Sequence, residues 1–298
     1  MDNSSSFIYY NGTFSLETIR ALKVMSPLGV LICLGGLVGN GLVLGLLVFS
    51  VKWGGFTVFI FHLSLADFLY LFCQTVWFIE IILDTFHGIW FGWKYKFILI
   101  GTSYTAGLCL LAAISVGRCL SALCPIWCRL RAPRHAPAAL CSLAWVLSVS
   151  VNVHFLICFD TNLRACLVHR LYSVLLCVLF SVSVLCTLAV LIKVRCSRQL
   201  RLPDKFYVTM LLTVLFLLFA FPLPIAVVFI PFPDVTYFIS LLLLASVNSS
   251  ANPLVYYFAG RIGGRRQGRN FREIFQKTLG EESSVRKDTS SGAVSSSA

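Results

Sequence analysis

Asp67 stands in the string SLADFLYLF, inside a stretch of 24 residues with no other Asp, Glu, Lys or Arg. A carboxylate surrounded by hydrocarbon costs roughly 3 kcal/mol or more and must find partners within the protein. Asn40, Asn248, Ser249 and Asn252 lie in equally apolar stretches and are the natural candidates. Amide and hydroxyl groups around one carboxylate can form a polar relay between helices, or hold a hard monovalent cation such as sodium. A purely structural polar knot is the simpler alternative. Arg118 follows another apolar stretch, in VGRCLSAL, where the plain alternative is an interfacial Arg reaching for water. Pro253 interrupts the last stretch, NSSANPLVYYF, with Asn252 before it and Tyr256 one turn further on. A proline there removes a backbone hydrogen bond and bends a helix. Pro222, with Pro224 two residues on, does the same in the preceding stretch. These residues suit a movable element, not bond-making chemistry. The sequence offers no metal-ligand cluster, no phosphate loop and no nucleophile with a paired base, so no enzyme is expected.

The elements that must carry these residues are apolar runs at 24–51, 56–79, 97–116, 137–159, 171–192, 206–231 and 235–259. A helix needs about 20 such residues to cross a bilayer. Lipid offers no partner to a bare backbone, so each run must be a helix or a barrel strand. The runs lack period-2 alternation, which selects helices. Only 12% of the residues are charged, against about 25% in a soluble domain. The expected fold is therefore all-α and integral to the membrane. It comprises an outer N-terminal tail (1–23), a bundle of seven transmembrane helices (24–259) and a cytoplasmic segment (260–298).

The net charge of +12 gains its meaning from where it lies. Eighteen of the 24 Lys and Arg residues, among them Lys52, Arg118, Arg134, Lys193 and Lys205, fall in alternate connections and after the last run. The remaining six are Arg20, Lys23, Lys94, Lys96, Arg164 and Arg170. That bias orients the chain with its C-terminus in the cytoplasm and its N-terminus outside. The charge is a basic rim facing membrane lipids, and no nucleic-acid partner is expected. The opening residues MDNSSSFIYY lack a positive segment followed by an apolar core, so no cleaved signal is expected. Asn3 and Asn11 begin acceptor triplets in this outer tail and are candidate glycosylation sites.

Taken together, Asn40, the LAD of Asp67, Arg118, Trp145, Pro222 and Asn252-Pro253-x-x-Tyr256 resemble a rhodopsin-class G-protein-coupled receptor. ISVGRCLSALCPIWCRLRAPRH, LYSVLL, FYVTMLLTVLFLL and VNSSANPLVYYF narrow the resemblance to the Mas-related receptors, over nearly the whole chain. The resemblance implies a plasma-membrane receptor that binds an extracellular peptide or small amphipathic molecule. It would pass the signal to a heterotrimeric G protein, with receptor kinases and arrestin as further partners. Arg118 would contact the G protein, and Tyr256 would stabilise the open form. It also implies a disulfide between Cys158 and Cys166, which flank the short outer segment FDTNLRA in an oxidising compartment.

Several positions depart from the wider class. No Cys stands between Phe86 and Ile98, so the usual bridge from the outer start of the third helix cannot form. Ala220 stands two residues before Pro222, where most of the class has a Trp. Ile100 and its neighbours supply no carboxylate, which argues against an amine receptor of the biogenic kind. Gly117 replaces the acid that the family places before Arg118, which would permit ligand-independent signalling. Ligand candidates are Glu80, Asp84, Asp160 and Asp234, with the aromatics Trp77, Trp90, Trp93 and Tyr104. An interfacial aromatic belt accounts for the tryptophans equally well. Phe155 and His169 stand about where the family's ligand-holding acids are expected.

From Asn270 the tail reads as an amphipathic helix on the inner leaflet, followed by a Ser-rich disordered end that kinases could modify. No Cys follows Cys196, so the tail cannot be palmitoylated. Most of the 12 Cys residues lie within the apolar runs, as small buried hydrophobes. No cofactor is expected, and sodium at Asp67 is the one metal the residues suggest. Two rivals remain: a seven-helix decoy or partner subunit that does not signal, and, further off, a transporter. A transporter should show internal repeats and broken helices around a midplane site, and the sequence has no repeat. A retinal protein would need a Lys in the last run, and there is none.

Overall fold

The structure is a computed structural model that describes residues 16–50, 55–89, 96–124, 135–160, 167–196, 219 and 235–261. Among these residues there are six helices and no strand. In chain order they are α1 (Leu16–Ser50), α2 (Gly55–His87), α3 (Lys96–Leu123), α4 (Ala136–Asp160), α5 (Leu167–Cys196) and α6 (Val235–Arg261). All six contain stretches long and apolar enough to cross a membrane. They correspond to six of the seven expected crossings, with α6 carrying the seventh run. The sixth run, with Pro222 and Ala220, lies outside the described residues. So do the amphipathic tail, Asn3, Asn11, Trp90, Trp93, Asp234 and Cys166, and the side chains of Cys158 and Asp160.

The helices overrun the apolar stretches. α1 starts at Leu16, eight residues before the first run, so the residues leading into that run are helical. α2 continues to His87, and α3 to Leu123. A run ends where charge begins, but a helix does not need hydrocarbon to continue, because its backbone bonds are internal. At 35 residues α1 is about 52 Å long, well beyond a hydrocarbon core of about 30 Å. Gly88, with φ of 65°, ends α2 in the left-handed region that favours glycine.

α2 and α3 form the middle of the bundle. α2 packs on α1, α3, α4 and α6, while α3 also meets α4 and α5. Small residues let the neighbours approach closely, as is usual where lipid provides no hydrophobic drive between helices. A Cβ on Gly29 would meet the Phe78 ring at 2.6 Å, and one on Gly36 would collide with the Ser250 hydroxyl. That hydroxyl donates to Ile32 O at 3.1 Å, tying α6 to α1. Trp145 Nε1 donates to His62 Nδ1 at 3.3 Å between α4 and α2. Asn152 Nδ2 donates to Thr105 Oγ1 at 3.3 Å between α4 and α3. Leu143, Val146, Leu185 and Ile192, on α4 and α5, are exposed, as befits faces turned to lipid.

Candidate functional site in the helix bundle

Asp67 faces the interior of the bundle, and the polar residues singled out from the sequence gather around it. Asn252 Nδ2 donates to Asp67 Oδ2 at 2.7 Å, linking α6 to α2. Ser249 is buried beside it on the same helix as Asn252. Asn40 Nδ2 donates to Gly36 O at 3.0 Å and to Ser249 O at 3.1 Å, bringing α1 into the same network. Asn40, Asp67, Asn248, Ser249 and Asn252 are all buried. Oδ1 of Asn40 and of Asn248 has no hydrogen-bond partner among the described residues. Gly107 on α3 borders the carboxylate, where an added Cβ would sit 3.9 Å from Asp67 Oδ1. A glycine brings no oxygen to that side.

Pro253 lies directly after Asn252 inside α6 and packs near Gly39, where a Cβ would stand 3.2 Å from its ring. The break in backbone bonding therefore falls beside the amide that holds Asp67. Tyr256 is buried one turn further on, within electrostatic range of both Asp67 and Arg118. Arg118 itself is half-buried near the end of α3. The structure thus joins Asn252 to Asp67, with Tyr256 electrostatically linked to Asp67 and to Arg118. Gly117 is exposed, and an added Cβ there meets nothing within 4 Å.

Two groups of contacts escaped the sequence reading. Lys193, near the end of α5, donates from Nζ to Ala122 O at 2.7 Å and Leu123 O at 3.3 Å, the last carbonyls of α3. From sequence it is only one of many inner basic residues. At the start of α3, Lys96 pairs with Glu80 of α2, and both are buried. Glu80 therefore does not present an open negative charge to a ligand in this arrangement. Tyr104 is also withdrawn, with its ring centroid 5.2 Å from that of Tyr70, which accepts from Gln74 Nε2 at 2.9 Å. Of the candidate acids whose side chains are described, Asp84 is half-exposed where Glu80 is buried.

No family model matches the chain. Individual relatives do. The rat (Rattus norvegicus) Mas-related G-protein coupled receptor member B4 is 36% identical over 286 residues, spanning 91% of this chain and 86% of the relative. The chain belongs to the Mas-related G-protein-coupled receptors. The human (Homo sapiens) Mas-related G-protein coupled receptor MRG is 32% identical, over 92% of this chain and 74% of its own length. The rat Mas-related receptor member A is 32% identical, over 93% and 95%. Membership makes the chain a signalling receptor of the membrane and assigns it a G protein and an extracellular ligand as partners in general terms.

Proposed function

We propose that the receptor sits in the plasma membrane with its N-terminus outside, and that it couples an outer ligand to a G protein through the Asp67–Asn252 contact. The observation that carries this reading is that hydrogen bond, made by the residue immediately before Pro253. An α6 whose backbone bonding is interrupted at Pro253 and which is joined to α2 by that hydrogen bond can adopt two discrete arrangements, and a ligand that favours one of them shifts the population. In the active arrangement the inner ends of the fifth and sixth transmembrane helices move outward. Arg118 then meets the G protein, and Tyr256 supports the opened cleft.

The ligand is a peptide or small amphipathic molecule, with Asp84, Asp160 and Asp234 as its anionic contacts. A sodium ion beside Asp67 would draw on the carboxylate, Ser249 and the unpartnered Asn248 Oδ1, three hard oxygen donors. Gly107 leaves such a site one hydroxyl short, so its affinity should be low. Cys158 and Cys166 form a disulfide, and Asn3 and Asn11 carry glycans. Receptor kinases act on the Ser-rich tail and arrestin follows. Missing an acid at Gly117, the receptor signals to a measurable degree without ligand. A G-protein dissociation panel in transfected cells, with and without a library of basic peptides and amines, tests the reading as a whole.

A further inference from the structure

Trp77 and Glu80 are three residues apart on α2 and so share one face near its outer end. Lys96 is the first residue of α3. Lysine is almost never withdrawn from water unless paired, yet the side chain of Lys96 is 2% exposed and that of Glu80 6%. Lys96 Nζ donates to Glu80 Oε2 and stands 5.7 Å from the centroid of the Trp77 ring. Trp77 also packs against Phe238 of α6, with ring centroids 5.9 Å apart. A carboxylate beside an indole face is a recognition site for an alkylammonium, combining a charge-assisted hydrogen bond with a cation–π contact.

We propose that Glu80 and Trp77 form a primary-ammonium site that the chain fills with its own Lys96, fastening the outer end of α3 to α2. The location gives the fastening a purpose. No Cys is available between Phe86 and Ile98 to anchor the start of α3 covalently, and the buried pair spans the two helix ends that flank that segment. Filling the site from within also withholds Glu80 from external cations. The inference concerns the receptor's outer architecture and stands apart from its coupling to a G protein.

The test is chemical rescue in the purified full-length receptor. Lys96→Ala removes Cγ, Cδ, Cε and Nζ, and n-propylammonium supplies the same atoms. The variant should melt on the order of 5–10 °C below the parent, as expected for one partner of a buried pair left alone. Propylammonium at tens of millimolar should restore at least half of that loss, while n-propanol and sodium chloride at matched concentration should not. The rescue should vanish when Glu80→Gln is added. Absence of rescue, equal rescue by propanol, or rescue that survives Glu80→Gln would each overturn the proposal. Should Lys96→Ala fail to reach the membrane, a charge exchange decides instead. Glu80→Lys and Lys96→Glu should each lower surface expression, and their combination should recover it. A combination no better than the worse single variant would overturn the proposal equally.

Discussion

Lys193→Met should raise ligand-independent signalling. The Lys193 ammonium donates to Ala122 O at 2.7 Å and to Leu123 O at 3.3 Å, pinning the C-terminal end of α5 to the last turn of α3. A hydrogen bond from a charged group contributes about 1.5–3 kcal/mol when sheltered, and a cation at a helix C-terminus about 0.3–1 kcal/mol more. The contact to Leu123 is exposed, and exposure reduces such terms substantially. About 1–2 kcal/mol is left for the whole clamp. If α5 leaves α3 on activation, the clamp belongs to the resting form alone, and about 1.4 kcal/mol is a tenfold change in the balance of the two forms. Methionine keeps most of the apolar stem and removes only the charge, so packing against α3 is largely preserved. The assay is G-protein dissociation by resonance energy transfer, without ligand and at matched surface expression. Basal dissociation should rise several-fold to tenfold in Lys193→Met and stay near the parent in Lys193→Arg. A basal signal that is unchanged or lower in Lys193→Met would mean that the contact persists in both forms, and the clamp argument would fail.

Other outcomes follow from the same geometry. Gly117→Glu should reduce basal signalling, because its open surroundings accept a side chain and an acid there can restrain Arg118. Gly117→Gln gains helix propensity without charge, so equal silencing by Gln and Glu would reject the electrostatic explanation. Asp67→Asn should blunt ligand-driven signalling without preventing folding, since it removes the charge that receives the Asn252 bond. It should also abolish any sodium dependence of agonist affinity, and a sodium effect retained in the variant would leave only a structural knot. Cys158 and Cys166 should resist thiol reagents on intact cells until a reductant is added, and mass spectrometry finding either one free would refute their bridge.

What could be read without coordinates was whatever depends on chain composition. Asp67, Asn40, Ser249 and Asn252 announce themselves because polar groups in apolar runs must meet, and they do meet. The six described helices follow from run length and from the absence of alternation. Their ends were less legible, because charge marks where hydrocarbon stops and not where backbone bonding stops; α1 begins at Leu16 and α2 reaches His87. Pairings between residues ordinary in type were invisible. Lys193 and Lys96 look like any two of 24 basic residues, and only the approach of α5 to α3 and of α3 to α2 gives each its partner. Glu80 looked like an open ligand contact for the same reason. Its sequence neighbourhood shows an outer acid, whereas the fold supplies a cation 16 residues away.

The central claim, that this receptor signals by presenting Arg118 to a G protein, is met most directly by one comparison. G-protein dissociation would be recorded for the parent and for Arg118→Ala, across the G-protein classes, at surface densities matched by an outer epitope tag. Arg118 is half-buried near the C-terminal end of α3, so its truncation should leave expression above roughly half of the parent while removing the contact proposed for it with the G protein. Basal and ligand-driven dissociation should both fall to the level of untransfected cells. Full dissociation in Arg118→Ala would contradict the assigned role. A parent silent toward every G-protein class, with or without basic peptides and amines, would contradict the claim that it signals at all.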